Sequence, residues 1–173
     1  MFKHFQISEY TVSRGYLHTV ITGTLSHQDL GHLGPNLISY FLFGRLIEGK
    51  FGSRKTFYLI LMASIAGTLA VAVNEKVFGD SVGLIVPKCN GSVPAAALAA
   101  ATIVSAPMVY LNPFKIKRSL KNELFMMPMF VPAVLFFMLE YYEWKIGYVE
   151  YLSREAHIVG GIAGVLFSLR YLR

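Results

Sequence analysis

Cysteine is nearly missing from this chain of 173 residues: Cys89 stands alone, so no intramolecular disulfide can close and no paired-cysteine metal motif is available. Charge is scarce too. Asp, Glu, Lys and Arg make up 15% of the residues against 54% hydrophobic, with a mean hydropathy of +0.50, far more apolar than a soluble domain of this length needs. Disordered, collagen-like and coiled-coil chains are excluded. The formal net charge of +6 does not point to nucleic acid, because the Lys and Arg residues sit in short clusters between apolar runs rather than on one solvated face. No nucleic-acid partner is expected, and no cofactor motif is found. A chain of this composition has lipid as part of its solvent.

What is present is five apolar runs, the pattern of an all-α, polytopic membrane helix bundle with about five transmembrane helices. The first runs from Leu33 to Phe43, interrupted by Gly34, Pro35 and Asn36 and closed by Arg45. Phe57 to Val73 carries no charge and reads as the clearest span. The third opens after the turn-forming Pro87-Lys88-Cys89-Asn90-Gly91 and runs from Ser92 through an alanine-rich stretch to Leu111, where Asn112-Pro113 is expected to stop it. Leu124 to Leu139 contains Pro128 and Pro132, expected to kink a fourth helix. The fifth, His157 to Leu169, lies between Arg154-Glu155 and Arg170. Residues 1–26 hold neither a signal-peptide core nor a span, and read as an interfacial amino-terminal segment ahead of a membrane domain over 27–173.

Sorting the loops by side gives a strong asymmetry. One side holds ten basic residues, among them Lys50, Arg54, Lys55, Lys115 and Lys117, against Glu48 and Glu123. Its opposite holds six basic and eight acidic residues. By the positive-inside rule the first side, with the carboxyl terminus, faces the cytoplasm or matrix.

Polar groups at bilayer depth are expensive unless paired, so those at the mouths of the runs carry the most information. Four fall on the less basic side. His32 and Asn36 are one helical turn apart and share a face; Ser92 and His157 each open a run. A serine hydroxyl becomes nucleophilic only when a base takes its proton, and histidine is the usual base. The developing oxyanion then needs donors, which an Asn amide, a His ring and the Ser92 N–H supply. Plainer readings stand beside these: Ser92 before Val93-Pro94 suits a helix N-cap, Asn36 can bridge two helices, His32 can be an interfacial ring, and His157 can cap its own helix or face water. His27, His32 and His157 with Asp29 match no compact metal-ligand spacing, so no metal is expected. Gly79-Asp80-Ser81-Val82-Gly83 fits a nucleophile-elbow pattern, yet that elbow needs a preceding strand, and the sequence offers a helix. Small residues mark two close-packing faces: Ala95 to Ala101 on the third run, and Gly160, Gly161 and Gly164 on the fifth. Packing them together brings Ser92 towards His157.

These residues resemble the rhomboid family of intramembrane serine proteases from about Thr22 onward. His27, His32 and Asn36 look like its H-x4-H-x3-N segment, Phe43-Gly44 and Ile47-Glu48-Gly49-Lys50-Phe51-Gly52-Ser53 like the helix end and loop that follow, and Ala156-His157 with Gly160 and Gly164 like its last helix. The resemblance implies Ser92 as nucleophile, His157 as general base, and His32 and Asn36 at the oxyanion. It also implies either single-span transmembrane substrates or, for a pseudoprotease scaffold, the subunits of a larger membrane complex. Three departures accompany it. The G-x-S-G motif reads Asn90-Gly91-Ser92-Val93, where Val93 and Pro94 are expected to crowd the scissile carbonyl; the tyrosine that supports the histidine is Ala96; and the helix normally preceding His27 is absent. The Ser26-His27 to Asn36 stretch looks like the mitochondrial inner-membrane branch, with a bacterial plasma membrane as the alternative.

Overall fold

The structure is a computed structural model and describes residues 4–5, 14–27, 30–78, 91–109, 128–146 and 154–172. The elbow-like segment 79–83, Cys89, Asn90, the expected stop at 112–113 and the basic stretch 115–121 lie outside the described residues. Among the described residues every extended element is helical and there is no β-strand. Helix α1 (Thr19–Thr22) leads into a 3-10 turn (Gly23–Leu25). An unbroken helical run follows over 30–51: α2 (Leu30–Ser39), a π segment (Tyr40–Gly44) and α3 (Arg45–Phe51). Then come α4 (Ser53–Phe78), α5 (Val93–Ser105), α6 (Phe130–Lys145) and α7 (Arg154–Tyr171).

Three expectations from the sequence are corrected. Gly34, Pro35 and Asn36 do not interrupt the first run: Pro35 lies inside α2, and the helix continues past Arg45 to Phe51, capped by Gly52. There the chain turns back with φ +89° and ψ 153°, a conformation open in practice only to glycine. The third helix ends at Ser105 rather than near Leu111, because Pro107 holds the preceding Ala106 out of helical geometry. The fourth starts at Phe130, so Pro128 precedes it and Pro132 sits in its first turn, where a missing N–H loses no partner and makes no kink. This helix consequently extends through Glu140 to Lys145.

Helix α5 is the hub, with every residue from Val93 to Thr102 buried. Its small side chains let the flanking helices α4 and α7 approach closely. A Cβ added at Gly164 would stand 2.9 Å from Ala97 Cα, and one at Gly160 would stand 2.8 Å from a Val93 methyl. The alanine and glycine faces therefore do pack together, as their composition indicated.

Four of the buried hydroxyls are satisfied within their own helices. Ser64 donates to the Ile60 carbonyl (2.8 Å), Thr68 to Ser64 (2.8 Å), Thr102 to Leu98 (2.9 Å) and Ser168 to Gly164 (2.7 Å). This is the solution required where no water reaches the backbone. The outer surface is the reverse of a soluble protein's: Leu37, Phe41, Phe57, Met62, Leu69, Met138, Ile162 and Leu166 are exposed, forming an apolar belt suited to acyl chains. By length and apolar composition Ser53–Asn74 qualifies as a membrane span, and Val93–Ser105 is a shorter apolar helix.

The bundle has two chemically distinct ends. At one, Lys50 Nζ donates to the Ser105 carbonyl and Lys55 Nζ to that of Tyr171, each at 2.7 Å, so lysines cap the C-termini of α5 and α7. At the other, Asn74 on α4 donates to Glu155 on α7 at 3.1 Å. Ser92 and His157 lie at this second end.

Candidate active site

Ser92 occupies the N-cap position of α5, yet its side chain makes no capping hydrogen bond. The capping reading of the sequence is thereby replaced: Ser92 Oγ is hydrogen-bonded to His157 Nε2 on α7. The glycine seam makes this possible, since the contacts of Gly160 with Val93 and of Gly164 with Ala97 hold α5 and α7 together next to this end.

The opposite nitrogen of the same ring, His157 Nδ1, meets Glu140 Oε2 on α6. Glu140 is the site residue that sequence reasoning missed. Hydropathy ends the fourth apolar run at Leu139, just before the charge, so Glu140 falls outside it. A signal was nonetheless present: Glu140 follows Phe137 by three positions and the buried Ala133 by seven, so all three share the inward face of one helix.

On the other flank, Tyr40 in the π segment donates its hydroxyl to the Gly91 carbonyl at 2.8 Å, tying the helical run over 30–51 to the residue before Ser92. His27 abuts the same glycine, and a Cβ at Gly91 would stand 2.7 Å from the Ser26 carbonyl. Burial pushes the His27 imidazole below its ordinary pKa, so it is neutral at physiological pH. Its ring meets His32 edge to face, with centroids 5.4 Å apart. Asn36 is 2% exposed, and its amide N–H donates to the His32 carbonyl at 2.7 Å, leaving its second N–H to act elsewhere. The histidine-rich segment and the serine turn are thus joined through His27 and Tyr40.

Val93 behaves differently from expectation. Its side chain is fully buried between Gly67 on α4 and Gly160 on α7, where an added Cβ on either glycine would come within 2.8 Å of it. It fills a helix seam instead of crowding the serine. Beside the His157–Glu140 contact lies a cavity of about 620 Å³ between α5, α6 and α7, bounded by Ala96, Phe137, Tyr141, Ile158 and Gly161. Ala96, where a larger residue would fill this space, leaves it open.

Ser92 has 0% exposure, and α5, with 13 residues, is about 20 Å long, against a hydrocarbon core of about 30 Å. A helix that short does not reach from one face of a hydrocarbon core to the other.

The fold and site thus define a helix bundle with an apolar outer surface and a serine–histidine pair at buried helix ends. The family model for the rhomboid domain matches residues 14–173, and the chain belongs to the rhomboid family. Among curated proteins it is 36% identical over 75 residues to RHOMBOID-like protein 12, mitochondrial, of Arabidopsis thaliana, covering 43% of this chain and 22% of that protein. It is also 32% identical over 69 residues to Rhomboid-like protein 16, chloroplastic, of the same plant, covering 40% and 21%. The matched segments span about a fifth of each relative's length. No solved structure matches the chain.

Proposed function

We propose that this chain is an intramembrane serine endopeptidase that cleaves single-span transmembrane segments with a Ser92–His157 dyad. The observation that carries the reading is the Ser92 Oγ to His157 Nε2 hydrogen bond at the buried start of α5. In the first half-reaction Oγ attacks the scissile carbonyl carbon while its proton passes to Nε2, and the carbonyl π pair becomes the oxyanion. His32, Asn36 and the Ser92 N–H receive that charge, aided by the positive end of the α5 dipole. Collapse breaks the C–N bond and returns the proton from Nε2 to the leaving amine. Water then attacks the acyl ester by the same route and regenerates Ser92.

Complete burial of Ser92 supports a second reading, a catalytically impaired scaffold subunit of a mitochondrial membrane protein complex, because a scaffold needs no route to the serine. The two separate cleanly. Purified full-length chain is incubated with a helix-destabilised single-span substrate, and partners are recovered from native membranes. Cleavage by wild type and none by Ser92→Ala supports the protease. Absence of cleavage with unchanged partner recovery from Ser92→Ala supports the scaffold.

Five crossings in a mitochondrial inner membrane, with the Arg54 end in the matrix, complete the proposal. It is supported by the mitochondrial designation of one relative and by the lysine-capped helix ends.

A further inference from the structure

An imidazole that serves a serine must keep a lone pair on Nε2 and a proton on Nδ1, and some group must hold that proton in place. Here the candidate support from α5, Ala96, carries no group able to do so. The Nδ1 contact comes instead from α6, through Glu140 Oε2. Around it the cavity wall is apolar, including Phe137, Ile158 and Ile162. A carboxylate against apolar walls is costly unless it is paired, so its presence there marks a role. The side chains are 22% and 12% exposed for Glu140 and His157, shielded enough for the pair to be worth more than a surface contact.

We infer that Glu140 is a positioning residue that fixes the Nδ1–H tautomer of His157 and stabilises the imidazolium formed when Ser92 attacks, making the constellation a serine–histidine–glutamate triad. This rests on the protease reading and deepens it. Glu140 accepts the Nδ1–H hydrogen bond, and only the Nε2 proton moves. Other charged or titratable groups around His157 include Tyr141, which lines the same cavity, Glu143, three residues beyond Glu140 on α6, and Glu155, on α7 itself. Glu143 acts on His157 through space without a hydrogen bond to it, while Glu155 accepts from Asn74. The contact to Nδ1 comes from Glu140.

The test uses the full chain in detergent, with wild type, Glu140→Gln, Glu140→Asp and Glu143→Gln compared after thermal melting confirms folding. Glu140→Gln is expected to lower kcat about 10²-fold or more with KM changed less than about twofold, since tautomer control acts on the chemical step. Glu140→Asp recovers at least about tenfold of that loss because it restores the charged acceptor, and Glu143→Gln stays near wild type. Independently of turnover, ¹⁵N-histidine NMR of wild type shows His157 as the Nδ1–H tautomer, and Glu140→Gln shifts it to a mixture. An unchanged kcat together with an unchanged tautomer in Glu140→Gln overturns the inference. If wild type cleaves nothing, the protease reading fails separately, and the NMR arm still decides whether Glu140 orients the ring.

Discussion

Replacing Gly164 by alanine tests the helix seam on which the whole site depends. The added Cβ would lie 2.9 Å from Ala97 Cα and 3.0 Å from its carbonyl carbon, and closer still to the carbonyl oxygen. Ordinary contact begins at 3.4 Å, so the two helices must part by half an ångström or more. The obstructing atoms are backbone and cannot rotate away. Overpacking of this kind costs about 1–3 kcal/mol, and it acts on the seam with the most extensive packing in the bundle. Gly34 is the control, because a Cβ there meets nothing within 4 Å; Gly34→Ala within α2 is expected to be neutral or stabilising by up to about 1 kcal/mol. Reversible unfolding in mixed micelles of increasing SDS fraction reads both changes. Since His157 lies seven residues before Gly164 on the same helix, Gly164→Ala is also expected to weaken the Ser92–His157 contact and any cleavage. Equal midpoints for Gly164→Ala and wild type would refute the close-packed seam.

Val93→Gly is expected to lower the unfolding midpoint, by about 1–3 kcal/mol for the emptied seam, and to leave cleavage no faster than wild type. A rate increase would show that Val93 crowds the serine after all. Gly52→Ala forces a side chain into a glycine-only conformation and is expected to cost about 1–3 kcal/mol in the same assay, whereas an unchanged midpoint would remove the strain argument. In a Cys89→Ser background, Arg54→Cys and Glu143→Cys are expected to react with a membrane-impermeant maleimide from opposite sides; equal labelling from one side would contradict the two-ended topology.

Much of the site was legible because its chemistry sits at run boundaries, where sequence patterns are sharpest. Ser92 and His157 open two apolar runs, and the alanine and glycine stretches that hold them together are compositional, so their pairing follows from packing rules. Helix ends were less legible. Hydropathy ends a run at the first charge, whereas a helix ends where its backbone hydrogen bonds fail. Glu140 falls between those two criteria: it is charged, yet it lies inside α6 on the face of Ala133 and Phe137. Pro35 and Pro132 misled for the opposite reason, as proline's effect depends on its place within the helix. The direction of Val93 was not encoded locally, since it follows from the glycines opposite it, Gly67 and Gly160, on two other helices.

The central claim is that Ser92 is a nucleophile activated by His157. The most direct measurement treats the full chain in detergent with a serine-directed fluorophosphonate and maps the modified residue by mass spectrometry. Modification is expected at Ser92 in wild type, with its loss in Ser92→Ala and a fall of about 10²-fold or more in labelling rate for His157→Ala. No modification of Ser92 in folded wild-type protein, or equal rates for wild type and His157→Ala, would contradict it.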